Sequence, residues 1–152
     1  MKKTVSLVLV LSMIAVAVIG FGTAANAQTL SSTEKALALI NAFATGDADM
    51  ARSLLAEDYI QHNLAYGTGA DAFVGSVEYL ASAEVKTTVN NIRAFEDGDK
   101  VFLQTVYNFA GAGEQVAFDI FRIDENGKIA EHWDVMETIA DEATWQNQNG
   151  KF

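Results

Sequence analysis

The chain contains no cysteine. Disulfides, thiolate catalysis and cysteine-based metal sites are therefore excluded, even though the N-terminus reads as an export signal. Proline is absent too, which is unusual for an exported domain and has no evident physical cause. Basic residues are scarce: ten Lys and Arg stand against twenty Asp and Glu, a formal charge of −10. A surface this acidic repels phosphate backbones and anionic headgroups, which argues against nucleic-acid binding. There is no G-x-G-x-x-G fingerprint, no P-loop and no G-x-S-x-G elbow. Dinucleotide, nucleotide and serine-nucleophile chemistries thus have no motif to support them.

One long apolar run is present. Met1-Lys2-Lys3 precedes an almost unbroken stretch from Val5 to Ile19, and Thr23-Ala24-Ala25-Asn26-Ala27 follows with small residues in the Ala-x-Ala arrangement. This predicts a cleaved secretory signal over residues 1–27, with the mature chain starting near Gln28. The alternative is an uncleaved anchor helix, for which the run is short. No cysteine follows it, so lipoprotein anchoring at this site is excluded. The expected location is periplasmic or secreted, with no stable membrane insertion after cleavage. Removing 27 of 152 residues leaves about 125, one domain over residues 28–152. Lys2 and Lys3 leave with the signal, so eight basic residues face twenty acidic ones, a net charge of about −12.

Helical signals come first. Ser31-Ser32-Thr33-Glu34 has the form of a capping box, and Ala36, Leu37, Leu39, Ile40 and Phe43 follow at helical spacing. Gly46 is the expected stop, and Asp47 can cap a short second helix through Met50, Leu54 and Leu55. Residues 57–63, EDYIQHN, read as a short extended piece. Tyr66-Gly67-Thr68-Gly69 is a loop, and Ala70 to Ala81 returns to helical spacing. From Val85 the period becomes strand-like, with turns at Glu96-Asp97-Gly98-Asp99 and Gly111-Ala112-Gly113. Trp145 and Phe152 offer docking points for a polar tail. Helices followed by a four-strand antiparallel meander predict an α+β domain, with helices packed on one face of a curved sheet.

The last two strands carry the chemistry. FDIFRIDENGKIAEHWDV, residues 118–135, reads as a hairpin turning at Asp124-Glu125-Asn126-Gly127. A four-residue loop would set Asp119 opposite His132, and a two-residue loop would set it opposite Asp134. Either register puts Asp119, Phe121, His132 and Asp134 on one face, because strand side chains alternate. A three-residue loop with a bulge would break that argument. Ala117, Ile123, Ala130 and Met136 are the expected companions. Carboxylates among apolar neighbours, and close to each other, acquire raised pKa values and can serve as general acid or base near neutral pH. The opposite face holds Phe118, Ile120, Ile129, Trp133 and Val135, with Arg122 and Glu131 able to pair. It reads as structural or as covered by a second subunit. The plainer alternative is a satisfied Asp119–His132 tie, with Asp134 in water at the sheet end.

Tyr59-Ile60-Gln61-His62-Asn63 adds hydrogen-bonding side chains beside a short strand. If that strand lines the mouth of a covered sheet, His62 or Gln61 points into a cavity. Zinc held by His62, His132 and a carboxylate has no supporting ligand spacing, and no metal is expected.

The segments YIQHN and FDIFRIDENGKIAEHWDV, with a tail ending NQNGKF, resemble the SnoaL-like polyketide cyclase family. The likeness is to its predicted aldol-condensation-catalysing branch, and it runs from about Glu34 to Phe152. That branch usually places proline after His-Asn, where this chain has Leu64. The resemblance implies the nuclear transport factor 2-like fold, a cone of curved antiparallel sheet closed by N-terminal helices around a pocket. The expected assembly, with the outer sheet face covered by a second subunit, is a homodimer. It also implies cofactor-free aldol chemistry with an Asp as acid/base. Asp119 and Asp134, with His132 beside them, occupy the matching catalytic positions. His62, Tyr59, Gln61 and Phe121 are the expected binding residues.

Three functions fit these residues. The first is a cofactor-free cyclase, lyase or isomerase acting on a small carbonyl compound. The second is a noncatalytic periplasmic protein holding an apolar ligand in the same cone. The third is a structural dimeric module whose Asp–His pair is only a buried tie.

Overall fold

A computed structural model describes residues 29–152; the expected signal segment, residues 1–27, lies outside the described residues. Three helices come first: α1 (Ser32–Thr45), α2 (Ala48–Leu54) and, after strand β1 (Leu55–Gln61), α3 (Ala70–Ser82). Four strands follow: β2 (Thr88–Asp97), β3 (Lys100–Asn108), β4 (Gln115–Ile123) and β5 (Ile129–Thr138). No described helix is long and apolar enough to cross a membrane.

Local chemistry sets the helix ends. Ser31 caps α1 by accepting from the Glu34 N–H, and Glu34 returns the bond to the Ser31 N–H, so two donors with no helical partner are satisfied. Gly46 ends α1 at φ +73°, and a Cβ there would meet the Ala81 Cβ at 2.8 Å. The backbone conformation and the close approach of α1 to α3 both require glycine. Asp47 then caps α2 through the Met50 N–H.

The sheet order is β1-β5-β4-β3-β2, a curved and unclosed five-strand sheet. The last four strands form the expected antiparallel meander. β1 corrects the all-antiparallel expectation, because it joins the sheet parallel to β5. A long irregularity between Leu55 and Ile60 precedes the regular pairs Ile60 with Glu131 and Gln61 with His132. The helices cover the inner face, where Leu39, Leu54, Val77, Leu103 and Phe121 are fully buried. Truncating such a residue, Leu39→Ala for example, typically costs about 2–5 kcal/mol.

Between β4 and β5 the chain turns with Asp124 O accepting from the Gly127 N–H, and Gly127 adopts φ +73°. The Asp124 carboxylate also takes the Asn126 and Lys128 N–H groups. A bulge follows: Arg122 pairs with Glu131, but Ile123 pairs with Ile129, leaving Ala130 as the extra residue. The bulge exchanges two expected positions. Ile129 enters the inner core in place of Ala130. Because it lies between the turn and Phe121, it leaves the face carrying Asp119, His132 and Asp134 intact. Lys35 Nζ donates to Gly127 O at 2.6 Å, tying the turn to α1.

The tail returns to the sheet at β3. Trp145 Nε1 donates to Ala140 O at 2.9 Å, and Gln104 Nε2 donates to Lys151 O at 3.0 Å. Phe152, an expected docking point, is exposed.

Candidate functional site

β4 and β5 settle the register in favour of paired carboxylates. Asp119 stands opposite Asp134, and Phe121 opposite His132. Like charges paired across a sheet repel unless donors surround them, and three other segments supply those donors. Tyr107, from β3, donates its hydroxyl to Asp119 Oδ2 at 2.9 Å. Asn63, just beyond β1, donates Nδ2 to Asp134 Oδ1 at 2.6 Å. His132 Nε2 lies 3.2 Å from Asp119 Oδ1 and 4.0 Å from Asp134 Oδ2.

The histidine tautomer follows from its neighbours. The Asn63 backbone N–H can only donate, and it lies 2.9 Å from Gln61 Oε1, so the orientation of the Gln61 amide is set. Its Nε2 therefore donates, to His132 Nδ1 at 3.0 Å and to the Tyr59 hydroxyl at 3.3 Å. A ring nitrogen that accepts carries no proton, so His132 bears its proton on Nε2 and donates to Asp119. Both Asp119 oxygens are thus used as acceptors. The His132 ring also stacks on Phe121, with centroids 4.3 Å apart.

Asp134 is different. Its side chain is only 7 % exposed, one oxygen is held by Asn63, and Oδ2 has no protein partner within hydrogen-bond distance. No described buried side-chain oxygen or nitrogen lacks a partner, so Oδ2 keeps accessible surface on the cavity that Asp134 lines. Burial pushes the Asp134 carboxyl up from its usual value, and the Asp119 charge adds to this. His132 and the Asn63 hydrogen bond pull the other way. Burial and the nearby carboxylates also push the Tyr107 and Tyr59 hydroxyls up, so both remain phenols.

The cavity measures about 450 Å³. Its walls are largely apolar, with Phe43, Phe73, Phe109, Phe121 and Met136 among them, and Asp119, His132, Asp134 and Gln61 stand together on the sheet side. No lysine or arginine lines it among the described residues.

Asp119, His132 and Asp134 place ligand atoms within 4.8 Å of one another, a spacing that suits a cation. The hydrogen bonds oppose that use. His132 Nε2 would have to release its proton, and the displaced proton on Nδ1 would face the Gln61 NH₂ group.

The expected site residues are only partly brought together. Asp119, Asp134, His132, Gln61 and Phe121 line the cavity. Tyr59 is buried behind it and supports Gln61. His62, expected to point inward, turns to the outer face. Alternation along β1 sends Gln61 and Asn63 inward and His62 outward. There His62 pairs with Glu131 at 3.0 Å and stacks on Trp133, and Arg122 completes the cluster at 2.6 Å from Glu131. His62 and Arg122 hold the Glu131 carboxyl below its usual range. Tyr107 and Tyr66 also line the cavity, although neither is among the site residues expected from the sequence. Tyr107 shares strand parity with Val101, Leu103 and Thr105 on the inner face; a phenol there was the available signal. Tyr66 lies in the loop before α3 and lines the cavity.

Helices over one face of a curved mixed sheet, with a polar cluster at the base of an apolar pocket, define a nuclear transport factor 2-like α+β protein. Solved structures carry the same fold. An NTF2-like protein of unknown function from Cytophaga hutchinsonii superimposes with a TM-score of 0.61 at 18 % identity, over 71 % of this chain and 91 % of that one. An LEH-like epoxide hydrolase from M. tuberculosis gives 0.61 at 18 %, over 70 % and 82 %. IdmH from Streptomyces antibioticus, a proposed polyketide cyclase, gives 0.57 at 20 %, over 71 % and 93 %. Likeness at these identities concerns the fold and leaves the chemistry open. No curated protein sequence matches the chain. Residues 36–132 match the pattern of the SnoaL-like domain, and the chain belongs to that family.

Proposed function

We propose that the protein is a cofactor-free acid/base enzyme acting on a small, uncharged carbonyl compound, with Asp134 as the proton-transferring group. The observation that carries this reading is the unequal engagement of the paired carboxylates. Asp119 accepts from both Tyr107 and His132, whereas Asp134 keeps one oxygen free on an apolar cavity. Burial raises the Asp134 carboxyl above its usual range, which makes it a stronger base for removing a proton α to a carbonyl. Asp119, His132 and Gln61 are then positioning residues. Two acidic side chains and the lack of a lysine or arginine in the described wall disfavour anionic substrates, including free acids and phosphate-bearing thioesters.

Exchange of the α-protons of 2-tetralone in D₂O, followed by proton NMR, tests the reading. The wild-type protein is expected to accelerate exchange and Asp134→Asn to lose about 10²–10⁴ of that rate. Full exchange activity in Asp134→Asn would leave the noncatalytic binder as the better account.

The reading also takes the protein to work in the periplasm or outside the cell as a homodimer. Support comes from the signal-like residues 1–27 and from Phe95, Phe118 and Val135, which stand exposed on the outer sheet face. Sedimentation equilibrium of the wild type and Phe118→Glu tests the dimer: a monomeric wild type would contradict it.

A further inference from the structure

Proton abstraction at Asp134 leaves negative charge on the carbonyl oxygen of the substrate, and that oxygen needs a donor. The expected candidates are already committed or misplaced. His132 Nε2–H is spent on Asp119, Tyr107 on the same carboxylate, and His62 lies outside the cavity. The Ser76 hydroxyl donates to Ala72 O. Among the described cavity tyrosines, Tyr66 and Tyr79 have hydroxyls with no protein partner; Tyr79 is 75 % exposed on α3 and Tyr66 49 %.

Tyr66 is tied to the base through a single residue. Asn63 gives its side-chain N–H to Asp134 Oδ1 at 2.6 Å. Its side-chain oxygen takes the Ala65 N–H at 2.9 Å, and its backbone carbonyl takes the Tyr66 N–H at 3.2 Å. Further along, Thr68 Oγ1 accepts from the Gln61 N–H at 3.2 Å, and the Gly69 N–H donates to Tyr59 O at 3.1 Å. The loop is therefore pinned to β1 on both sides of Tyr66 rather than free to swing. Burial and the Asp134 charge push the Tyr66 hydroxyl up, so it remains a phenol and a donor.

We propose that Tyr66 donates the hydrogen bond that receives the substrate's carbonyl oxygen, and that Asn63 is the positioning residue that fixes Tyr66 and Asp134 relative to each other. In the step this implies, Asp134 Oδ2 takes the α-proton as the C–H bond breaks. The electron pair moves into the new carbon–carbon double bond and onto oxygen, and Tyr66 holds that oxygen without giving up its own proton. The proposal rests on the assignment of Asp134 as base, but its test separates the two.

The test is calorimetric titration of 2-tetralone and of tetralin, the same ring system without oxygen, into wild type, Tyr66→Phe and Asp134→Asn. Wild type is expected to prefer the ketone by about tenfold, the worth of one good hydrogen bond. Tyr66→Phe is expected to bind the two compounds equally while keeping wild-type affinity for tetralin. Asp134→Asn is expected to keep the ketone preference. A ketone preference retained in Tyr66→Phe would overturn the proposal, and so would a wild type that shows none or binds neither compound. Loss of tetralin affinity in Tyr66→Phe would also overturn it, by showing a damaged wall rather than a missing hydrogen bond. If Asp134→Asn exchanges tetralone α-protons as fast as wild type while the Tyr66 result holds, the base assignment alone fails.

Discussion

Asp119 and Asp134 are direct partners across β4 and β5, yet only Asp134 keeps an oxygen free. The division comes from neighbouring strands. β3 and β5 supply Tyr107 and His132 to one carboxylate, and the end of β1 supplies a single amide to the other.

Neutralising each carboxylate should therefore have different consequences. Asp119→Asn sets an amide against two donors in a buried place, which typically costs about 1–3 kcal/mol for a donor left unsatisfied. Asp134→Asn can still accept from Asn63 and removes a buried charge, so it should fold at least as well while losing exchange activity. Thermal unfolding of both variants at neutral pH, beside the tetralone assay, checks the contrast.

The Asp134 carboxyl is raised in the folded protein, first by burial and then by Asp119. A raised acid contributes stability that is complete below its unfolded value and is lost as pH rises through its folded value. The Tm advantage of Asp134→Asn over wild type should thus grow as pH increases from about 4, the ordinary carboxylate region. Exchange activity should rise through the same window as the base ionises. A Tm difference that does not change with pH would contradict the assignment.

His132 should carry its proton on Nε2, because Gln61 donates to Nδ1. Nitrogen-15 NMR of the ring distinguishes the two tautomers directly. In Gln61→Glu the carboxylate becomes an acceptor and should draw a proton to Nδ1, leaving the Nε2-only tautomer depleted. An Nε2-only ring in both proteins would remove Gln61 from its positioning role.

His62→Ala should leave tetralone binding and exchange within about twofold, and should cost less than about 1 kcal/mol, as expected of an exposed ion pair. Its side chain is 38 % exposed and meets Glu131 on the outer face, and the sheet contact of this residue is made by its backbone, from the His62 N–H to His132 O.

Much of the fold could be read from local signals. Ser31, Gly46 and Asp47 mark helix ends by chemistry confined to a few residues, and each does so in the structure. The shared face of Asp119, Phe121, His132 and Asp134 follows from alternation, which a bulge beyond Phe121 does not disturb. Other features depend on partners distant in sequence. That β1 lies parallel beside β5 is a tertiary choice, and it alone brings Gln61 and Asn63 to the site. The turn of His62 to the outside comes from the same pairing. The exchange of Ile129 for Ala130 arises from the bulge at Ala130, just after a turn whose Asn-Gly signal is compatible with several loop lengths. Tyr66 sits in a loop with no periodicity, so nothing along the chain places it at the cavity.

The most direct test of the central claim is a carbon-13 NMR titration of the Asp134 side-chain carboxyl in wild type, in Asp119→Asn and in Asn63→Ala. The account predicts a wild-type midpoint above the ordinary carboxylate region. That midpoint should fall when the neighbouring Asp119 charge is removed and climb further when the Asn63 donor is removed. An Asp134 carboxyl that titrates at the ordinary position and ignores both substitutions would contradict the assignment of Asp134 as the proton-transferring group.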